Sequence, residues 1–304
     1  MKKFLKRITW FILPLILLFL SGLFLPATPR TSTSLLFAAL KKDSLLANVK
    51  APRIIFVGGS NLSMGLNSRM IKDSLHLNPV NTAIHAGLGL KYMLENTLPY
   101  IKEGDTIILV PEYSHFYRDY SAASEELLRS VADANPSTVK LLNTKQVYNL
   151  IPFLPKFSLS KFKPSEYRGY KDNKVYSRLS FNEFGDSEGH WNLKGSAVAP
   201  KDINGEYNAD IINKIKAFQN EIEKKKATLY ISFPGLQDKS YNLEVKKIKN
   251  IEKELIKSKF KLLGNTNRYV MPDSLMFDTP YHLTKQGLDL RTKLLIEDYK
   301  KFRN

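Results

Sequence analysis

A chain of 304 residues, 43% hydrophobic and 25% charged, has enough apolar material for one or two domains with a sizeable core, and it shows no low-complexity tract or internal repeat. It contains no cysteine, which excludes disulfides, thiolate-bound zinc and a thiol nucleophile. Its formal charge of +17 comes from lysines spread along the whole length, without zinc-finger spacing or an RNA-recognition signature, so it describes a solvated surface attractive to anionic headgroups or acidic glycans, and nucleic acid is not an expected partner.

Lys2, Lys3, Lys6 and Arg7 precede Ile8 to Leu25, an uncharged stretch interrupted only by Thr9, Pro14, Ser21 and Gly22. At ~1.5 Å per residue, a helix of that length roughly matches the ~30 Å hydrocarbon core of a bilayer. Basic residues ahead of it place the amino terminus in the cytoplasm and the rest of the chain outside. The rival reading is a cleaved signal peptide, whose apolar region runs about 7 to 15 residues and ends in a small-x-small site. Pro26-Ala27-Thr28 offers no good site, so residues 1–30 are expected to stay as a single-pass membrane anchor. Residues 31–50 read as a stalk, in which Leu35 to Leu40 either lies on the bilayer or opens the folded domain. That domain is expected over 51–304.

Arg53 to Val57 is an unbroken apolar run after its first residue, stopped by Gly58-Gly59-Ser60-Asn61. Such a short run suits a strand buried on both faces of a parallel sheet, and ligands of open α/β sheets bind outside the carboxyl ends of the strands. The glycines let the chain turn sharply, which makes Ser60 a candidate nucleophile. Ser60 or Asn61 would serve equally as a helix cap. A helix is expected over Met64 to Leu75, a strand over Pro79 to Ile84 ending at His85-Ala86-Gly87-Leu88-Gly89, a helix over Leu90 to Leu98, and a second clear buried strand over Thr106 to Val110. This alternation predicts parallel strands joined by right-handed crossovers. From about 121 to 208 the pattern breaks into an insertion rich in Tyr, Phe, Lys and Ser, with a hairpin expected over Phe181 to Trp191 at the sheet's edge. Ile211, Ile215, Phe218 and Ile222 mark a helix face, Thr228 to Phe233 a strand, Leu243 to Lys257 a basic helix, and Thr284 to Phe302 a last helix capped by Thr284.

A serine hydroxyl needs a base, a group to orient that base, and donors for the oxyanion. Asp278 and His282 stand four apart just before the last helix, where Pro280 disfavours helix at Thr279, so both lie on a loop. Taken alone, the pair also reads as a turn-forming aspartate beside an ordinary loop histidine.

The combination of Gly-Gly-Ser60-Asn after the first strand, a glycine-bearing turn after the second and Asp278-x-x-x-His282-Leu before the final helix resembles the SGNH/GDSL hydrolase superfamily. Within it the likeness is to membrane-anchored members acting on cell-envelope polymers, such as the D-alanine transfer protein of teichoic-acid modification and the acetylation proteins of alginate. It covers about Pro52 to Val110 and Thr228 to Phe302. The resemblance implies a flavodoxin-like three-layer α/β/α sandwich with a mainly parallel five-stranded sheet in the order 2-1-3-4-5, and no metal or cofactor. It further implies Ser60 as nucleophile, His282 as general base and Asp278 as its orienting partner, with oxyanion donors from the amides of Ser60 and of Gly87 or Gly89. Asn61, Glu112, His115, His190 and Trp191 are the candidate substrate-binding residues.

The sequence departs from that pattern in three places: Gly59 stands where the superfamily usually has Asp, three residues separate Asp278 from His282 where two are usual, and Pro111-Glu112-Tyr113-Ser114-His115 replaces an oxyanion asparagine. An ionised Glu112 accepts hydrogen bonds and donates none. The expected function is an extracytoplasmic serine esterase or O-acyltransferase acting on acyl, notably acetyl, esters of an envelope or exported polysaccharide. The alternative is an SGNH-like binding or assembly module without chemistry. Whether a multi-pass membrane partner hands over acyl groups, as in some relatives, stays open.

Overall fold

The computed structural model describes residues 1 to 303, and among them one helix is long and apolar enough to cross a membrane. This is α1 (Lys2–Phe24), most of whose large side chains are exposed: Trp10 is 69% and Phe11 72% exposed. A single turn, α2 (Pro29–Ser32), follows, capped by the Thr28 hydroxyl, and then α3 (Ala39–Asn48). Leu36, Ala39 and Leu46 are buried in the main core, so the stalk opens the folded domain and does not lie apart from it.

The first strand, β1 (Arg53–Gly58), is buried throughout, as its apolar run predicts. It leads through the single turn α4 (Ser60–Ser63) into α5 (Ser68–Leu75), β2 (Asn78–Asn81), α6 (Leu90–Thr97) and β3 (Thr106–Val110). The helix expected over Met64 to Leu75 starts only at Ser68, because Asn67 caps it there, its side chain accepting from the Met70 amide at 3.4 Å. The strand expected to Ile84 ends at Asn81: the Thr82 amide makes a last bond to the Phe56 carbonyl of β1 at 3.0 Å, and on the outer edge the Asn81 amide donates to the Phe184 carbonyl at 2.9 Å.

The insertion contributes α7 (Glu125–Arg129), α8 (Thr144–Leu150) and α9 (Leu154–Ser160). In place of the hairpin expected over 181–191 there is one bridge, Phe181 to Ser187, around a turn fastened to the β2 edge. Asp186 fastens it, accepting from the Ser68 amide (2.6 Å), the Ser68 hydroxyl (2.7 Å) and Asn81 Nδ2 (2.8 Å). The chain then returns through α10 (Asp210–Lys224), β4 (Thr228–Ser232), the short β5 (Leu236–Gln237), α11 (Asp238–Leu243), α12 (Val245–Lys257), β6 (Leu262–Leu263), β7 (Val270–Met271) and α13 (Lys285–Arg303). The basic helix expected over Leu243 to Lys257 is α12, which starts two residues later, and α11 is a further short helix ahead of it. Thr284 does cap the last helix, its hydroxyl accepting from the Gly287 amide at 3.3 Å.

The main sheet has five strands in the order β2-β1-β3-β4-β6, every neighbouring pair parallel. Counting only its own members along the chain, that is the order 2-1-3-4-5 expected, with β1 inside the sheet. The two-residue strands β5 and β7 form a separate parallel pair. All carboxyl ends of the main sheet therefore open on one rim, which carries Ser60 after β1, Glu112 after β3 and Gly235 after β4.

Candidate active site

Ser60 is placed by two glycines that let neighbouring chain segments close in. A Cβ on Gly58 would stand 2.6 Å from the Val110 carbonyl oxygen, and one on Gly59 2.9 Å from Ala86 Cα. Only glycine permits both approaches, so the end of β1 lies tight against the end of β3 and against the turn after β2. Ser60 then starts α4, and as the first residue of a helix its amide has no acceptor within that helix. Its side chain stays partly exposed.

The loop from the far end of the chain reaches the same rim. The Leu283 amide donates to the Met64 carbonyl at 3.3 Å, one residue past the helix that begins at Ser60. The Leu283 side chain fills the space left by Gly235 after β4, where a Cβ would come within 2.9 Å of its Cδ1. From the other side His190 Nε2 donates to the Leu283 carbonyl at 3.0 Å. With both backbone groups held, Leu283 fixes the residue before it, His282.

His282 Nδ1 donates to Asp278 Oδ1 at 2.8 Å, and the Tyr176 hydroxyl donates to the other carboxylate oxygen. Burial works to raise the Asp278 carboxyl, but the bonds from His282 and Tyr176 outweigh it and hold it below its usual value. An ionised Asp278 keeps the imidazole proton on Nδ1, which leaves Nε2 as the basic nitrogen. Among the described residues Nε2 has no hydrogen-bond partner, although the ring is only 6% exposed. Burial and the Asp278 charge push the Tyr176 phenol up, so it remains a donor.

Ser60 does not bond to His282 in this structure. Its hydroxyl donates instead to Glu112 Oε1 at 3.3 Å, with Glu112 itself buried. Beside Glu112, His115 donates from Nε2 to the Ala86 carbonyl at 3.2 Å, and its buried Nδ1 has no partner. Burial lowers the His115 pKa, against the raising effect of the Glu112 carboxylate and the Ala86 carbonyl.

Several residues that the sequence nominates for the site stand elsewhere than expected, each for a visible reason. The Gly87 amide donates to His85 Nδ1 at 3.0 Å and the Gly89 amide to the Ala86 carbonyl at 3.0 Å, so neither is free to face an oxyanion. Asn61 is fully buried, accepting from the Gly59 amide at 3.1 Å and donating to the Val110 carbonyl at 3.1 Å, which ties the ends of β1 and β3 together and leaves nothing for a substrate. His190 is also fully buried, behind the His282 loop and against Phe277. Trp191 lines a different depression, with Lys285 over its ring at 4.9 Å. His190 thus positions the loop, and Trp191 lies outside the Ser60 rim.

Tyr176 and His85 are not singled out by any pattern in the sequence. Both line a cleft of about 410 Å³ between the stalk and the insertion, with Arg30, Leu35, Glu126 and Arg129. Tyr176 sits in a lysine- and tyrosine-rich stretch where one tyrosine looks like the next. Among the described residues no cluster of side chains could hold a metal ion. No family model, curated protein or solved structure matches the chain, so the case for a function rests on the rim itself.

Proposed function

We propose that this chain is a membrane-anchored serine esterase or O-acyltransferase of SGNH-like architecture, a three-layer α/β/α domain held outside the cytoplasm and acting on acyl esters of an envelope polysaccharide. The observation that carries the reading is the tether of the His282 loop to the Ser60 turn through Leu283 and Met64. It brings a hydroxyl, an imidazole with a bare Nε2 and an ionised carboxylate to one rim from residues far apart in sequence. In the proposed step Ser60 Oγ forms a bond to the ester carbonyl carbon, the carbonyl π pair moves to oxygen, and His282 Nε2 takes the hydroxyl proton. Collapse breaks the bond to the leaving alcohol, which takes that proton. Water or a sugar hydroxyl then attacks the acyl-serine by the same route in reverse.

The first step requires the Ser60 hydroxyl to leave Glu112, a rotation about one side-chain torsion. Ser60's own amide is the donor best placed for the oxyanion. A carbohydrate substrate suits the cationic surface if the polymer is acidic, and a multi-pass membrane partner is the natural source of acyl groups for a transferase anchored beside it.

The bond from Ser60 to Glu112 favours a second reading, a tethered SGNH-like module that binds without turning over. Labelling of the detergent-solubilised full chain with a fluorophosphonate, together with hydrolysis of p-nitrophenyl acetate, separates the two. For an enzyme, wild type labels, Ser60→Ala does not, and hydrolysis falls on the order of 1,000-fold or more in the variant. A wild type that neither labels nor hydrolyses leaves the binding module.

A further inference from the structure

The insertion presents apolar side chains that no other described residue covers. Along α8, the turn after it, α9 and the residue pair beyond, Val147 (52%), Tyr148 (72%), Ile151 (52%), Leu159 (50%) and Phe162 (39%) stand exposed. Val147, Tyr148 and Ile151 lie within about one turn of one another, as do Leu159 and Phe162, with the exposed Lys145 and Lys156 beside them, while Gln146, Leu150, Phe157, Ser158 and Ser160 turn inward. Single exposed apolar side chains are ordinary on soluble proteins, but several clustered together mark an interaction surface. Lys140 and Lys163, exposed, bracket this segment in sequence, and among the described residues neither has a carboxylate partner.

The face is continuous with the membrane-crossing helix. Ser158 Oγ donates to the Phe19 carbonyl at 2.6 Å, and Gly22, the one buried residue of α1, lies where a Cβ would stand 2.2 Å from Ser158 Oγ and 2.9 Å from the Phe162 ring. A small residue here lets two helices close to backbone distance. Lys161 adds a third tie, donating to the Pro26 carbonyl at 3.2 Å while paired with Asp133. The contact at Phe19 falls five residues before the end of α1, or about 8 Å along its axis. Amphipathic helices that lie in a bilayer sit about 5–10 Å into the boundary between headgroups and acyl chains. With the bilayer edge set at the end of α1, this contact falls within the depth such a face takes.

We propose that α8 and α9 are seated in the interfacial layer of the same bilayer that α1 crosses, with Val147, Tyr148, Ile151, Leu159 and Phe162 among the lipids and Lys140 and Lys163 toward anionic headgroups. The domain then stands on the membrane in one orientation, and does not swing on its anchor. The docking depends only on α1 spanning the bilayer. If the Ser60 reading also holds, the cleft carrying Tyr176 is kept at the membrane surface, where a lipid-linked or membrane-handled substrate would arrive.

The absence of native cysteine allows a direct test. Tyr148→Cys, Ile151→Cys and Leu159→Cys, each carrying an environment-sensitive NBD fluorophore, are compared with Ile256→Cys on α12, which is 60% exposed, in full-length protein reconstituted into phosphatidylcholine and phosphatidylglycerol vesicles. The expected result is a blue-shifted emission at the three insertion positions, quenched at least about twofold more than at position 256 by lipids bearing a nitroxide near the headgroup. Quenching no greater than at position 256 overturns the proposal. A blue shift without lipid quenching overturns it too, and assigns the face to a protein partner or a second copy of the chain. Circular dichroism identifies any labelled variant that misfolds, and the remaining positions decide.

Discussion

Ser60 donates its hydroxyl to a carboxylate where the chemistry proposed for it calls for a donor, and the 3.3 Å bond to Glu112 is long against a usual O–H···O distance of about 2.7–2.8 Å. Replacing Glu112 with Gln keeps the size and the accepting oxygen, removes the charge beside a developing oxyanion, and adds an amide donor. One oxyanion donor is typically worth about 100- to 1,000-fold, so even an imperfectly aimed amide is expected to raise fluorophosphonate labelling and ester turnover about tenfold or more in Glu112→Gln. A fall to the level of Ser60→Ala would make Glu112 the base and remove His282 from that role. A different titration is built into His190, whose pKa burial pushes down to about 4 while the unfolded chain keeps about 6.5. Between those values the unfolded state binds a proton that the folded state refuses, so stability declines as pH falls from about 6.5 toward about 4 and the loss levels off below that. Comparison of urea unfolding at pH 7.5 and pH 5 should show wild type losing about 2 kcal/mol more than His190→Gln. An equal pH response in the two chains would sink the assignment. Ser60 is legible as a candidate because it follows β1 beside two glycines, and Asp278 and His282 because they share a short loop marked by Pro280, where turn chemistry leaves a trace. Tyr176 is not, because its bond to Asp278 spans 102 residues and nothing local announces it.

At the scale of elements, what holds the rim together is a set of close approaches between loops. The approach of Gly235 to Leu283 is the one that bears on His282, and Gly235 has no left-handed backbone angle, so Gly235→Ala tests space alone. Its methyl would press on Leu283 Cδ1 and move the loop, with an expected stability cost of about 1–3 kcal/mol from overpacking. A displacement on the order of 1 Å at a reacting group costs about 100-fold in rate, so kcat is expected to fall far more than the stability loss explains while KM stays near wild type. Unchanged kcat would mean the loop absorbs the methyl without moving His282. The strands at Arg53–Gly58, Thr106–Val110 and Thr228–Ser232 are readable because each is a short apolar run between covered faces. β5, β6 and β7 are two residues each and too short to carry any period. The break between α4 and α5 hides inside an apolar pattern, since Asn67 signals a cap only once Gly65 is seen to lie against the Asn61 carbonyl.

Across the whole molecule the sheet separates two tasks onto opposite rims. The carboxyl rim gathers Ser60, Glu112 and the His282 loop, and the amino rim is closed by Arg53 and Asp105, an ion pair with side chains 0% and 1% exposed. Arg53 Nε donates to Asp105 Oδ1 at 2.9 Å, and its other nitrogens donate to the Leu46 carbonyl at 2.6 Å and the Tyr100 carbonyl at 2.8 Å, so one guanidinium joins the stalk helix, the turn before β3 and β1. The alternation of strand and helix reveals a parallel sheet, while its strand order is implied only by the resemblance. The insertion stays illegible because its helices complete themselves against α1 and the stalk, contacts with no trace in local periodicity. Asp105→Ala leaves the guanidinium buried with only neutral acceptors, a change expected to cost about 3–5 kcal/mol, whereas Arg53→Met with Asp105→Leu, which removes both charges, is expected to be near neutral. Since β1 spans roughly 16 Å at about 3.3 Å per residue, neither change touches the carboxyl rim directly. Any Asp105→Ala protein that remains folded should therefore still label at Ser60 at the wild-type rate. Urea unfolding read beside labelling tests both halves, and a slower label in fully folded Asp105→Ala would show that the two rims are coupled through β1.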